Sequence, residues 1–197
     1  SPRRLKEIVQ AVDAIQHVRV IRIHTRVPAV DPSRVDADLL QALTAETNVY
    51  VALHANHPRE LTVAARAACH RIINAGISML SQTVLLRGVN DDVETLANLM
   101  RAFVEMRIRP YYLHHPDLAR GTGHFRLSIA EGQALVRALR GRLSGLCQPT
   151  YVLDIPGGFG KSPIGPNYVI ATGEANEEAL VEDYQGQIHT YSAAAKA

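Results

Sequence analysis

The sequence predicts an α/β fold with about five parallel strands that alternate with helices, followed by a small β-rich tail. Apolar runs rich in Val and Ile alternate along the chain with segments whose apolar residues recur every three or four positions. Parallel neighbours need a long crossover connection, and the intervening helices supply it. Both an open doubly wound sheet and part of a barrel meet these conditions, and either one places its chemistry at the carboxyl ends of the strands.

The helices are predicted from apolar spacing and from residues that favour helix ends. Ser1 with Pro2 is typical of a helix start, Asp36 is a capping residue, and Gly76 is a termination signal. The predicted helices cover residues 2–15, 37–43, 60–75, 93–104 and 129–144.

The strands are predicted from short β-rich runs between those helices. They cover residues 18–24, 49–53, 77–86, 108–113 and 151–154. Short strands are predicted from about residue 167, with turns at Gly173 and Gly186, and residues 193–197 are predicted to be a disordered tail.

Composition excludes several classes of function. The 197 residues carry a formal net charge of +2, which gives no electrostatic basis for binding nucleic acid. The chain has no run of 18 apolar residues, so no membrane span is predicted. Its two cysteines, Cys69 and Cys147, form no metal-ligand spacing and indicate a reducing, cytoplasmic location. Surface scaling predicts roughly 9,000 Å² of exposed area.

Polar residues collect at the predicted carboxyl ends of the strands. Histidines at three of these ends raise the alternative of a metal site built from His54-x-x-His57 and His114-His115, without a cysteine or acidic cluster to complete it. The strand-end residues are His24, Thr25, Arg26, His54, Asn56, His57, Ser81, Gln82, Thr83, Arg87, His114, His115, Asp117, Asp154 and Lys161.

Lys161 follows a glycine-rich turn, and two acidic residues share its region. Its amine is a candidate for a Schiff base, and the alternative is a solvated lysine in a loop. Asp117 and Asp154 could bind an ammonium group, act as acid and base, or pair with Arg120 and Arg126.

Several ordered motifs resemble the lysine 2,3-aminomutase family across about residues 1–192. They are Thr-Arg-Val-Pro at 25–28, His-Ala-Asn-His-Pro at 54–58, Ser-Gln-Thr-Val-Leu-Leu-Arg-Gly-Val-Asn-Asp at 81–91, Arg-Pro-Tyr-Tyr-Leu at 109–113, His-Phe-Arg at 124–126, Pro-Gly-Gly-Phe-Gly-Lys-Ser-Pro at 156–163 and Pro-Asn-Tyr-Val at 166–169.

The resemblance implies a radical S-adenosylmethionine (SAM) enzyme with a partial (β/α) barrel, pyridoxal 5'-phosphate and a [4Fe–4S] cluster. Such an enzyme interconverts L-lysine and β-lysine by 1,2-amino migration through an aldimine radical, and its cofactors carry the difficult chemistry. By the same resemblance, the full-length enzyme is a homo-oligomer. Residues 1–155 are then the carboxyl-terminal part of the barrel, and 156–192 are the pyridoxal-phosphate lysine loop with an extension.

The resemblance also assigns roles by position. Lys161 is implied as the catalytic lysine that holds pyridoxal phosphate, and Asp117 and Asp154 as the pair that binds the substrate ammonium. The implied contacts to SAM are His54, Gln82, Arg26, Asn56 and His114.

The family's cluster motif, CxxxCxxC, does not occur in these 197 residues. We therefore expect the chain to be the carboxyl-terminal portion of a longer enzyme, inactive alone and with an uncovered apolar sheet edge. The alternatives are a lysine β-aminomutase that serves elongation factor P, an inactive module that binds pyridoxal phosphate or a partner, and a generic sugar-phosphate barrel enzyme.

Overall fold

The computed structural model describes residues 1–172 and 178–192. Six helices precede or separate the strands of the main sheet. They are α1 (Pro2–Asp13), α2 (Val27–Val30), α3 (Ala37–Ala42), α4 (Val63–Asn74), α5 (Val93–Glu105) and α6 (Ile129–Leu139). Within the described residues, none of these helices combines the length and the apolarity that crossing a membrane would require.

The main sheet has six strands in the spatial order β1-β2-β3-β4-β5-β6. Its strands are β1 (Val20–Thr25), β2 (Asn48–His54), β3 (Ser78–Val84), β4 (Arg109–His114), β5 (Thr150–Asp154) and β6 (Lys161–Pro163). The first five strands are parallel, as predicted, and β2 to β5 each pair with the strand before them in the chain. The order therefore shows no reversal of the kind that defines a doubly wound sheet.

Strand β6 was not predicted, because its three residues follow a glycine-rich turn that has no strand signal. It pairs antiparallel with β5 and places Lys161 opposite Asp154. A second sheet of three antiparallel strands follows, β7 (Val169–Thr172), β8 (Glu178–Glu182) and β9 (Ile188–Ser192). The short strands predicted in the tail are confirmed, as is the turn at Gly186, which has a φ of 83°. The predicted turn at Gly173 and the predicted tail at 193–197 lie outside the described residues.

Most helix boundaries follow the local chemistry. Asp36 accepts a hydrogen bond from the backbone N–H of Leu39 at 2.8 Å, so its capping role is confirmed, whereas the Ser1 side chain makes no capping bond. Helix α4 begins only after Thr62, because residues Pro58–Glu60 form a turn of 3₁₀ helix. The prediction of a helix to residue 144 was wrong, since α6 ends at Leu139 and Arg140 is already extended.

The helices pack on one face of the main sheet. Strand residues that point toward them are apolar and buried, including Val51, Leu53 and Leu113. Side chains on the opposite face alternate with these, as the two-residue strand period requires. We call that opposite side the open face; its positions include Arg22, His24, Tyr50, His54, Leu80, Gln82, Tyr112, His114 and Asp154.

The exposed area of the chain is 11,782 Å², larger than the roughly 9,000 Å² that scaling predicts. The open face contributes to this excess, and so does the second sheet, in which every residue of β7 and β9 is exposed. The second sheet is anchored to α6 through Arg137, whose guanidinium lies 2.6 Å from the Glu182 carboxylate and stacks on the Tyr168 ring.

Candidate functional site

The carboxyl ends of the parallel strands bring together several side chains that the sequence placed at strand ends. His54 lies in register with Gln82, and His114 lies in register with Val84 and Val152. Asp154 is two residues beyond Val152 and therefore on the same face, where it pairs in register with Lys161. The predicted strand-end residues His54, Gln82, His114 and Asp154 thus lie on the open face, at the carboxyl end of the sheet.

A pair of histidines forms one side of this site. His24 Nδ1 lies 3.0 Å from His54 Nε2, and the rings meet edge to face. Burial lowers the pKa of both imidazoles, and the positive charge of Arg22 lowers the pKa of His24 further. Both rings are therefore neutral at neutral pH, which allows one ring to donate and the other to accept.

His114, Asp154 and Lys161 form the other side. His114 Nδ1 lies 2.9 Å from one Asp154 oxygen, and the Lys161 ammonium pairs with the other. The hydrogen bond from Lys161 is the main cause of the lowered pKa of the Asp154 carboxyl, and the bond from His114 lowers it further. The central feature of the open face is therefore the Asp154 carboxylate, which binds the Lys161 ammonium with one oxygen and the His114 imidazole with the other.

The glycine-rich loop brings Lys161 to Asp154. Gly157, Gly158 and Gly160 all have positive φ values, which other residues rarely adopt. The backbone N–H of Ile155 donates to the Gly160 carbonyl at 2.9 Å and closes the loop. The chain then reverses direction, and the amine side chain, 42% exposed, lies beside the last residue of β5.

Asp117 lies at the edge of this group. Asp117 is exposed, and its negative charge raises the pKa of His114. The burial of His114 has the larger effect and lowers that pKa. The sequence left open a pairing of Asp117 with Arg120 or Arg126. Arg126 instead donates to the backbone carbonyls of Asp117 and Ala119, at 3.2 and 2.8 Å, so it orders the loop through main-chain contacts.

Arg26 and Asn56 have structural partners. Arg26 pairs with Glu60 at 2.5 Å, and the other Glu60 oxygen accepts the backbone N–H of Asn56. The Asn56 side-chain oxygen accepts the backbone N–H of Val84 at 2.9 Å. Both residues thus tie the loop after β2 to its neighbours.

Asn90 supports the loops of the site. Sequence analysis did not identify it, because Gly88-x-Asn90 predicts only the end of a strand. Its side chain is fully buried and donates to the carbonyls of Asn56 and Val84 at 2.7 and 2.9 Å. Its oxygen accepts the backbone N–H of Leu86. Asn90 therefore fixes the loops that follow β2 and β3.

The histidine-based metal alternative does not match the geometry. His115 turns away from His114 and lies 2.7 Å from Tyr151 Oη, on the helix side. His57 Nδ1 accepts the backbone N–H of Arg59 and caps a turn. Across residues 1–172 and 178–192, no group of three or more His, Cys, Asp or Glu side chains is arranged to hold a metal ion.

Comparisons with known proteins agree with the motifs. A family model described as Lysine-2,3-aminomutase matches residues 136–197. The L-lysine 2,3-aminomutases of Fusobacterium nucleatum and Clostridium subterminale are each 40% identical over 192 residues. Those matches cover 98% of this chain but only 45% and 46% of the two relatives.

A relative that is named for a different substrate also matches. The glutamate 2,3-aminomutase of Clostridioides difficile is 32% identical over 184 residues, which cover 93% of this chain and 43% of that protein. The chain therefore spans somewhat less than half the length of these curated relatives, and it corresponds to their carboxyl-terminal part. On the motifs, the family model and the coverage of nearly the whole chain, this protein belongs to the lysine 2,3-aminomutase family.

Proposed function

We propose that this chain works as the carboxyl-terminal part of an isomerase that moves the α-amino group of L-lysine to the β-carbon. The observation that carries this proposal is the contact of Lys161 and His114 with one carboxylate, Asp154, on the open face. The 40% identity to proteins named L-lysine 2,3-aminomutase supports it. The sheet order supports a partial barrel of the radical SAM type, since β1 to β5 follow one another in space with helices on one face.

Lys161 fits the role of the lysine that would hold pyridoxal phosphate. Its amine is 42% exposed and next to glycines that let a ligand approach the backbone closely. When bound, that cofactor supplies an aldehyde that condenses with amines and a conjugated ring that delocalises an unpaired electron. Asp154 holds the Lys161 amine at the open face, so the amine is positioned before any ligand arrives.

His54 and Gln82 are the residues best placed for SAM. They lie in register on adjacent strands, so an imidazole and a side-chain amide face the same space. When bound, SAM supplies the group that abstracts hydrogen from the substrate. Arg26 and Asn56 support this site through the loop that they order, because their own polar groups are engaged with Glu60 and Val84. We assign His114, the remaining SAM candidate, to Asp154, because its Nδ1 bonds that carboxylate.

The residues present do not fit an iron–sulfur cluster. Cys69 and Cys147 are both buried in the core on the helix side, and the chain has no third cysteine. Burial raises the pKa of the Cys69 thiol to about 11, which opposes the thiolate that a cluster requires. The 197-residue chain alone should therefore be inactive in amino migration.

Substrate recognition is assigned to the two aspartates. The Asp154 carboxylate already binds a primary ammonium, which is the same chemical group as the side-chain terminus of L-lysine. Asp117 adds a second negative charge near His114. Two carboxylates favour a cationic amino acid over an acidic one, because a glutamate side chain would be repelled. The named glutamate relative makes L-glutamate the informative competitor.

The test for the lysine role is covalent trapping on this chain. Pyridoxal phosphate is added, the product is reduced with borohydride, and the modified peptide is identified by mass spectrometry. We expect modification at Lys161 and its loss in Lys161→Ala, with Lys6→Ala as the matched control because Lys6 lies on α1. Equal labelling of Lys161→Ala and the unchanged chain would contradict the assignment.

The test for the reaction uses the chain joined to the upstream sequence that its relatives carry, with a reconstituted cluster. We expect β-lysine from L-lysine, none from the chain alone, and poor competition by L-glutamate. Failure to form β-lysine, or preference for glutamate, would overturn the proposed substrate.

A further inference from the structure

The Asp154 carboxylate, at the end of β5, contacts two different donors, one from each of the strands that flank β5. His114, at the end of β4, contacts Oδ2 at 2.9 Å, and Lys161, at the start of β6, contacts Oδ1. A carboxylate held on one oxygen presents the other in a fixed direction, and such charge-assisted bonds are among the stronger ones in proteins.

The protonation pattern of His114 follows from its partners. An ionised carboxylate can only accept, so the hydrogen lies on His114 Nδ1. The side chain is 8% exposed, and Nε2 is buried without a hydrogen-bond partner among the described residues. A second proton on Nε2 would be a buried charge without an acceptor, which is costly.

The surroundings keep this imidazole neutral. Burial is the main cause of the lowered pKa of His114, and the Lys161 ammonium lowers it further. Asp154 and Asp117 act in the opposite direction but more weakly than burial. The other groups on this side are His54 and His24, whose pKa values are also lowered, and the ring of Tyr112, which meets His114 edge to face.

We propose that His114 is a positioning residue that orients the Asp154 carboxylate as a receptor for a primary ammonium group. It acts as a neutral donor to Oδ2, so that Oδ1 retains its negative charge and its direction. Lys161 fills this receptor in the structure; the extension to the side-chain ammonium of L-lysine rests on the proposed function.

A neutral donor and a cationic donor have different consequences at this carboxylate. An imidazolium would neutralise Asp154 and repel the incoming ammonium, whereas a neutral imidazole fixes the carboxylate without competing for its charge. The role of His114 therefore depends on the Nδ1 donor and not on the volume of its ring.

The first experiment measures the pKa of the Asp154 carboxyl by ¹³C NMR in the 197-residue chain. We expect the pKa to rise most in Lys161→Met, which removes the largest cause of its lowering, and to rise also in His114→Phe. His114→Asn should keep the pKa low, because an Asn amide can donate from nearly the position of imidazole Nδ1. His114→Gln should behave like His114→Phe, because its amide extends past that position.

The matched control is His115→Phe. That histidine is adjacent in sequence but contacts Tyr151, so its removal should leave the Asp154 pKa unchanged. Equal pKa values in the folded His114→Asn and His114→Gln variants would overturn the proposal, as would an unchanged value in His114→Phe. The Asn and Gln comparison keeps the test decisive if the Phe variant fails to fold.

The second experiment addresses the ammonium of the substrate. L-lysine is titrated into Lys161→Met, in which Asp154 has lost its internal cation, and the Asp154 carboxyl resonance is followed. We expect saturable binding that weakens about tenfold when His114→Phe is added, the loss of one charge-assisted contact. If Lys161→Met does not bind L-lysine but the Asp154 pKa values follow the expected order, the extension to the substrate is overturned. The orientation of Asp154 by His114 then still holds.

Discussion

The two faces of the six-stranded sheet are built from the same strands but have opposite chemistry. On the helix side, Val51, Leu53 and Leu113 are at most 1% exposed and pack against the helices. On the open face, His54 and His114 occupy alternating positions of the same strands and contact other polar groups. One face therefore stabilises the fold, while the other is available for ligands.

This difference shows how stability and chemistry are separated by the period of a strand. Successive side chains point to opposite sides, so polar residues at every second position of a strand do not enter the hydrophobic core. The separation predicts that changes on the helix side act on the free energy of unfolding. Changes on the open face should act on ligand binding instead.

The largest effect on stability is expected from Phe103→Ala in α5. Phe103 is fully buried in the core of the helix side, and the truncation should lower the free energy of unfolding by about 3–5 kcal/mol. Denaturant titration followed by circular dichroism measures it. A loss below about 1 kcal/mol would mean that the helix side is not the stabilising face.

Gly132→Ala in α6 tests how tightly the helix side is packed. A Cβ built on Gly132 would lie 1.9 Å from Tyr151 Oη, and Tyr151 is fully buried. We expect a net loss of about 1–3 kcal/mol from overpacking, although alanine is the better helix former. Gly145→Ala is the control, because its Cβ would meet nothing within 4 Å. Equal thermal midpoints for the two variants would contradict the expected overpacking.

The same substitution on the two faces sharpens the comparison directly. Val51 is 1% exposed on the helix side, and Val20 is 54% exposed on the open face. Val51→Thr buries a hydroxyl and should cost about 1–3 kcal/mol, whereas Val20→Thr should change stability by less than about 0.5 kcal/mol. Similar losses measured by denaturant titration would show that both faces are equally buried in solution.

The smallest effect is the pH dependence of the cap of α6. Glu131 accepts the backbone N–H of Ser128 and pairs with Arg87, which together lower its pKa from 4.5 to about 2. A pKa lowered by folding contributes stability that is present above pH 4.5 and is lost as the pH falls toward 2. The thermal midpoint of Glu131→Gln should therefore lie below that of the unchanged chain at pH 6 and approach it by pH 2. A difference that stays constant over this range would contradict the assignment.

Sequence patterns predicted the fold where the signals were local. Helix α5 has Asp92 as its cap and regular apolar spacing, and its limits fall where expected. The end of α6 was missed because apolar residues continue to Leu143, while Arg140 is extended and Gly141 has a φ of 69°. Strand β6 was missed because it is specified by pairing with β5.

The site was predicted as a location but not as a set of contacts. Strand ends placed His54, His114 and Asp154 at one edge, because parallel strands share their direction. The contact between His114 and Asp154 joins residues 40 apart and depends on strand register, which no local pattern encodes. The neighbouring histidines 114 and 115 point to opposite faces because successive side chains of an extended chain alternate.

The antiparallel turn at Lys161 also gives the sheet unequal borders. At one border β6 is three residues long and ends in Pro163, which has no N–H to offer a further strand. At the other border β1 offers six residues of backbone with Val20 partly uncovered. Among the described strands, β1 therefore offers the longer edge to a strand that would extend this sheet.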